Sequence, residues 1–173
     1  HALTHMDAPK HFIPGGDAIE TIPLARCIGP AHVIDLPHKT PNSKITVDDL
    51  TSYTDHVVPG SRLLLRTDWS THANAEDYRT QFPRIDIKLA KWLVACGVWV
   101  LGVESPSVAS LAEENRDELT DVHQALLGGD VIIVEGLCNL NQLPSHIDEF
   151  IALPLYLPIC DGSPVRAIAR FTR

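Results

Sequence analysis

The chain has 173 residues, 45% of them hydrophobic, and a formal net charge of −8. That length fits one domain with a sizeable core, and the hydrophobic share is ordinary for a globular protein. The acidic balance without a basic run argues against a nucleic-acid or anionic-membrane surface, and no apolar stretch approaches the roughly 20 residues of a membrane span.

Residues 1–12 read His-Ala-Leu-Thr-His-Met-Asp-Ala-Pro-Lys-His-Phe, with His1, His5, Asp7 and His11 all at odd positions. In an extended segment alternate side chains share a face, so these four would project together. A helix would align only His1 with His5, and Pro9 opposes a helix interior. An extended segment is therefore expected. Residues 13–31, with Pro14, Gly15, Gly16, Pro23, Gly29 and Pro30, read as loop. His32–Leu36 reads as a strand ended by Pro37. Thr46 before Asp48 and Asp49 opens a helix running to Tyr53 or His56, broken at Pro59-Gly60.

Residues 61–67, with Leu63, Leu64 and Leu65, read as a buried strand, followed by a loop at 67–70. A short helix is expected over 75–82. A stronger one spans Ile85–Cys96, with Leu89, Trp92 and Leu93 in helical phase and Gly97 as its stop. Val98–Val103 is a strand and 108–115 a helical turn or two. Asp117–Leu127 is a helix with acidic residues in its first turns and Gly128-Gly129 at its end. Asp130–Glu135 is a β-branched strand, and 137–143 a loop. Phe150–Leu157 and Val165–Phe171 read as the last two strands, joined by a turn at Asp161-Gly162-Ser163-Pro164. This alternation predicts an α/β or α+β fold, a mixed β-sheet with flanking helices.

Four cysteines, at 27, 96, 138 and 160, include no C-x-x-C pair. That opposes a structural zinc ribbon and fits a reduced, cytoplasmic chain, with Cys96 and Cys138 as small hydrophobes. The chain starts at His1 rather than Met, so a native upstream segment is expected.

The opening row has a chemical meaning. Neutral imidazole and carboxylate suit zinc, manganese or iron in a hydrolytic site, and a carboxylate can bridge two ions. On spacing alone this reading stands beside a solvated, histidine-rich chain start. His123, inside a predicted helix, and Glu135, at a strand end, are joined by the Gly128-Gly129-Asp130 turn. That turn can bring them to one rim of the sheet. By chemistry alone each also has the ordinary reading of a filler or solvated side chain.

The pattern His1-x-x-Thr4-His5-x-Asp7-x-Pro9-x-His11-Phe12 resembles the signature of the cyclase-like metal-dependent hydrolases. That family includes bacterial kynurenine formamidase and isatin hydrolase. The resemblance extends to residues 22–36, to His123 with Glu135 twelve residues on and Leu137-Cys138-Asn139-Leu140, and to Gly162-Ser163-Pro164-Val165-Arg166. It implies one swivelling β/β/α-type domain over 1–173. It implies His1, His5, Asp7, His123 and Glu135 as ligands of one or two zinc or manganese ions, with Asp7 and Glu135 as bridges. It implies His11 as the acid/base and a homo-oligomer, dimer or higher.

The activity implied is hydrolysis of a small amide, arylformamidase-like, by metal-activated water with a histidine acid/base. A cyclic amide or lactone hydrolase is the alternative within the family. A catalytically silent, truncated or diverged metal-binding domain is the alternative of another functional class. A small-molecule substrate is expected, with no nucleic acid and no membrane as partner. Trp69, in a loop, is expected to wall the substrate pocket, whereas Trp92 belongs to the core. His32, His38, His56, His72 and His146 show no ligand spacing and are expected on the surface or in loops. Three positions depart from the family pattern: Leu3 and Asp68 stand where glycine is usual, and Glu104 where aspartate is.

Overall fold

The computed structural model describes residues 3–172. It is a mixed α/β fold built on an eight-stranded sheet. Its strands are β1 (His5–Asp7), β2 (Ile28–Asp35), β4 (Arg62–Arg66), β6 (Val100–Val103), β7 (Ile132–Glu135), β8 (His146–Ile151), β9 (Gly162–Pro164) and β10 (Ile168–Arg170). β3 (Lys44–Ile45) and β5 (Arg84–Ile85) form a separate parallel pair. The large sheet runs β10-β8-β2-β4-β6-β7-β1-β9, parallel from β2 to β7 and antiparallel at both flanks.

The parallel centre follows from sequence. Leu63-Leu64-Leu65 and Val131-Ile132-Ile133-Val134 are apolar on both faces, as a doubly covered strand requires. Leu63, Leu65, Leu101 and Ile133 face one core, packed under α1 (Ile87–Ala95) and α2 (Arg116–Gly128). Leu64, Val100, Ile132 and Val134 face the other, with Met6, Ile19, Val33 and Phe150. α1 starts where the Asp86 side chain accepts from the Lys88 N–H, an N-cap of the ordinary kind.

Several local expectations are corrected. The 46–56 helix forms over Asp48–His56, but as 3-10 rather than α. Residues 75–82 are turns, not a helix, and of 108–115 only Glu113–Asn115 is helical, as a 3-10 turn. The strand expected over Phe150–Leu157 is His146–Ile151 instead, since Pro154 and Pro158 cannot donate to a ladder. The expected turn at Asp161–Pro164 holds β9, paired to β1. Cys138 is exposed rather than a buried hydrophobe, and the four cysteines are free. No helix among the described residues is long and apolar enough to cross a membrane.

β2 starts four residues before the expected strand, despite Gly29 and Pro30. The cause is tertiary. The buried Arg62 guanidinium donates to the carbonyls of Arg26, Ala25 and Ile28 at 2.7, 3.0 and 2.6 Å, and lies 5.4 Å from the Trp99 ring centre. Gly29, at φ +141°, admits it, since a Cβ there would lie 2.8 Å from Nη1. Arg62→Met strands those carbonyls and is expected to lower unfolding stability by about 3 kcal/mol in urea titration.

Candidate metal centre

β1 delivers two of the expected ligands. It lies between β7 and β9, with His5 opposite Glu135 and Asp7 opposite Ile133. The pleat sends His5 and Asp7 to one face and Met6 to the opposite core. Glu135, at the end of β7, is fully buried and accepts the Val108 N–H at 2.8 Å. Gly136 follows at φ +67°, where a Cβ would lie 2.9 Å from the Leu3 carbonyl oxygen, so only glycine lets the chain turn this close to the first segment. His123 comes from α2 and is also fully buried, its ring stacked on Phe12 at 4.0 Å between centres.

Four side chains thus converge. His5 Nε2 lies 3.2 Å from Glu135 Oε2 and 3.7 Å from Asp7 Oδ1. His123 Nε2 lies 3.5 Å from Glu135 Oε1 and 3.9 Å from Asp7 Oδ2. Each carboxylate therefore turns one oxygen to each histidine. Ligand atoms of His5, Asp7 and Glu135 all fall within 4.8 Å of one another.

The tautomers decide what this cluster suits. His5 Nδ1 lies 3.0 Å from the Leu3 carbonyl oxygen and His123 Nδ1 2.7 Å from that of Leu119. A carbonyl only accepts, so both Nδ1 atoms carry hydrogen and both Nε2 lone pairs point at carboxylates. Such an array is repulsive without a proton or a cation in it, and the buried Asp7 Oδ2 has no hydrogen-bond donor. Imidazoles bonded through Nδ1–H to backbone carbonyls are the usual form of metal-ligating histidine. The residues fit a divalent cation.

The electrostatics agree. Burial, with the charge of Glu135 beside it, pushes the Asp7 carboxyl up to about 6, against the pull of His11, His5 and His123. Burial would also raise Glu135, but the His123 and His5 imidazoles, once protonated, donate to it and hold that carboxyl low. Burial lowers both histidines, yet the Glu135 hydrogen bond and charge leave each above its ordinary value.

His11 is not part of the extended row. The strand stops at Asp7, and Pro9–His11 is a 3-10 turn, which brings the ring round to the same cavity. That cavity, of about 570 Å³, is lined by His5, Asp7, His11 and Asp161 among others. A second, of about 520 Å³, opens from His5 toward Tyr78, Arg79, Pro106 and Cys138. Trp69 lines neither cavity. It is 3% exposed, donates from Nε1 to the Tyr78 carbonyl and stacks on His72 at 4.3 Å. Its neighbours Tyr78 and Arg79 form the wall instead, a pair without periodicity or motif to mark it. His1 lies outside the described residues.

Leu3 and Asp68, the two non-glycines at usual glycine positions, have φ of +66° and +60°. Both keep the left-handed backbone that glycine adopts freely. Asp68 is tied there by Arg66, at 2.8 and 3.1 Å. The Glu104 carboxylate is buried and takes the Thr67 N–H at 2.7 Å and the Ser70 hydroxyl at 2.8 Å, anchoring that loop.

Residues 1–110 match the Cyclase family. The chain belongs to the cyclase family. It is 36% identical over 170 residues to kynurenine formamidase of Bacillus cereus, covering 98% of this chain and 76% of that one. Among solved structures, the chain superposes on isatin hydrolase A from Labrenzia aggregata bound to benzyl benzoate, with a TM-score of 0.84 and 25% identity, over 96% of this chain and 71% of that one. It also superposes on a potential metal-dependent hydrolase with cyclase activity, with a TM-score of 0.82 and 30% identity, over 98% and 78%.

Proposed function

We propose that this member of the cyclase family is a metal-dependent hydrolase that cleaves the carbon–nitrogen bond of small aryl formamides. The supporting observation is the pair of imidazoles that donate from Nδ1 to the Leu3 and Leu119 carbonyls while turning Nε2 to Asp7 and Glu135. The relatives supply the substrate class, since kynurenine formamidases share 36% identity with the chain.

In this proposal His5, Asp7, His123 and Glu135 would hold one or two zinc or manganese ions. The chemistry such ions supply is Lewis acidity toward a carbonyl and a water acidified to a pKa of about 7. His11 takes the proton of the attacking water and returns it to the departing nitrogen. Tyr78, whose hydroxyl donates to the Glu104 carbonyl at 3.1 Å, and Arg79 bound the space for the aryl group.

Turnover of N-formylkynurenine against isatin and simple lactones, with zinc and with manganese, tests the assignment. Formamide turnover is expected to dominate, with one or two ions per chain by elemental analysis. Preference for isatin would favour the cyclic-amide reading, which the superposition on isatin hydrolase A supports. A protein with neither affinity for metal nor turnover would end the proposal.

Asp7 sets a pH limit. Its carboxyl is raised to about 6, so below that pH a proton must leave before a cation can bind. Zinc affinity, read by chelator competition, is expected to fall on acidification, first as His5 and His123, both raised above the ordinary imidazole value, take up protons, and more steeply below about pH 6 as Asp7 does. Asp7→Asn should remove this step along with most of the affinity.

A further inference from the structure

We propose that Asp161 is a positioning residue that fixes the tautomer and aim of the His11 imidazole, a role that rests on the acid/base assignment of His11 above. Asp161 directly precedes β9, whose Gly162 is opposite Asp7 on β1. Its carbonyl accepts the Ala8 N–H at 2.9 Å, at the entry to the Pro9–His11 turn. The residues before it are pinned as well. The Cys160 carbonyl accepts the Ile19 N–H at 2.9 Å, and the Ile159 N–H donates to Glu20 Oε1 at 2.9 Å. The Asp161 side chain is thus delivered to His11 by backbone bonds that its own substitution leaves in place.

Asp161 Oδ2 lies 2.9 Å from His11 Nδ1. A carboxylate only accepts, so the hydrogen is on Nδ1 and the basic lone pair on Nε2. Nε2 is the buried nitrogen of the ring, and ring and carboxylate line the same cavity as His5 and Asp7. The Asp161 side chain is 61% exposed and that of His11 25%. A pair this exposed adds little to stability. What it supplies is orientation: without it no carboxylate holds the hydrogen on Nδ1, and both tautomers are populated. A proton acceptor aimed at the attacking water needs the Nε2 lone pair in place before substrate arrives.

The test is a double-mutant cycle on N-formylkynurenine turnover by the metal-loaded protein, with His11→Ala, Asp161→Ala and the double variant. Asp161→Ala is expected to lose about 10- to 100-fold in kcat, with KM, metal content and melting temperature near wild type. The double variant is expected to be no slower than His11→Ala, because a residue acting only through the imidazole has nothing left to act on. Independently of activity, ¹⁵N NMR of labelled histidine should show His11 protonated at Nδ1 in the wild type and shifted toward Nε2–H in Asp161→Ala. A slow His11→Ala with a fast Asp161→Ala overturns the positioning role and leaves the acid/base assignment intact. Multiplicative losses in the double variant, or an unchanged tautomer, also overturn it. Wild-type turnover in His11→Ala overturns the acid/base assignment and the positioning role with it.

Discussion

Glu135→Gln is expected to fold near wild-type stability, to lose its metal, and to lose turnover by about a thousandfold or more. Glutamine keeps an oxygen for the Val108 N–H, now bonded at 2.8 Å, and removes the charge that both histidines face. The loss of turnover corresponds to several kcal/mol of transition-state stabilisation at 1.36 kcal/mol per factor of ten. Glu135→Ala is the contrasting variant. It leaves the buried Val108 N–H without its acceptor and opens a void at a fully buried position, and is expected to cost about 3 kcal/mol of folding stability as well. Urea denaturation separates the two variants, and elemental analysis shows the shared loss. A Glu135→Gln protein with full metal content and turnover would remove Glu135 from the ligand set.

His11→Ala is expected to do the opposite: keep the metal and lose about 10²- to 10⁴-fold in kcat, the range for removal of a general acid–base group. The imidazole approaches the cluster from the Pro9–His11 turn and bonds Asp161 there at 2.9 Å. Metal content should therefore hold while kcat falls. A His11→Ala protein that binds metal and keeps its turnover would rule out the role.

The first half of the candidate site was legible in the residues themselves. Odd spacing and Pro9 argue for an extended segment, and His5 and Asp7 do share a strand face. His11 has the same parity, yet it reaches the cavity through a 3-10 turn, which parity cannot show. His123 and Glu135 were legible only through resemblance to a family. Nothing in a helix histidine and a strand-end glutamate marks them as partners until β7 lies beside β1. Asp161 was not legible at all. Asp-Gly-Ser-Pro has the composition of a turn, and its pairing with β1 is a contact about 150 residues long in sequence. The helix–strand alternation gave the parallel core, where runs are long and apolar. It failed at the flanks, where β1, β9 and β10 have three residues each and the first residues of β2 depend on Arg62 rather than on their own pattern.

β1 is only three residues long and hydrogen-bonded along both sides. Length is therefore far more dangerous there than identity. Deleting Met6 alone would carry one of the two donors through the sheet to the greasy side, however faithfully every other residue were kept. The same indel in the long connection between Asp7 and Ile28 would be absorbed by slack in the loop. Random libraries built with codon insertions and deletions should thus show a gap of intolerance over residues 5–7, narrower and deeper than any that point substitutions reveal.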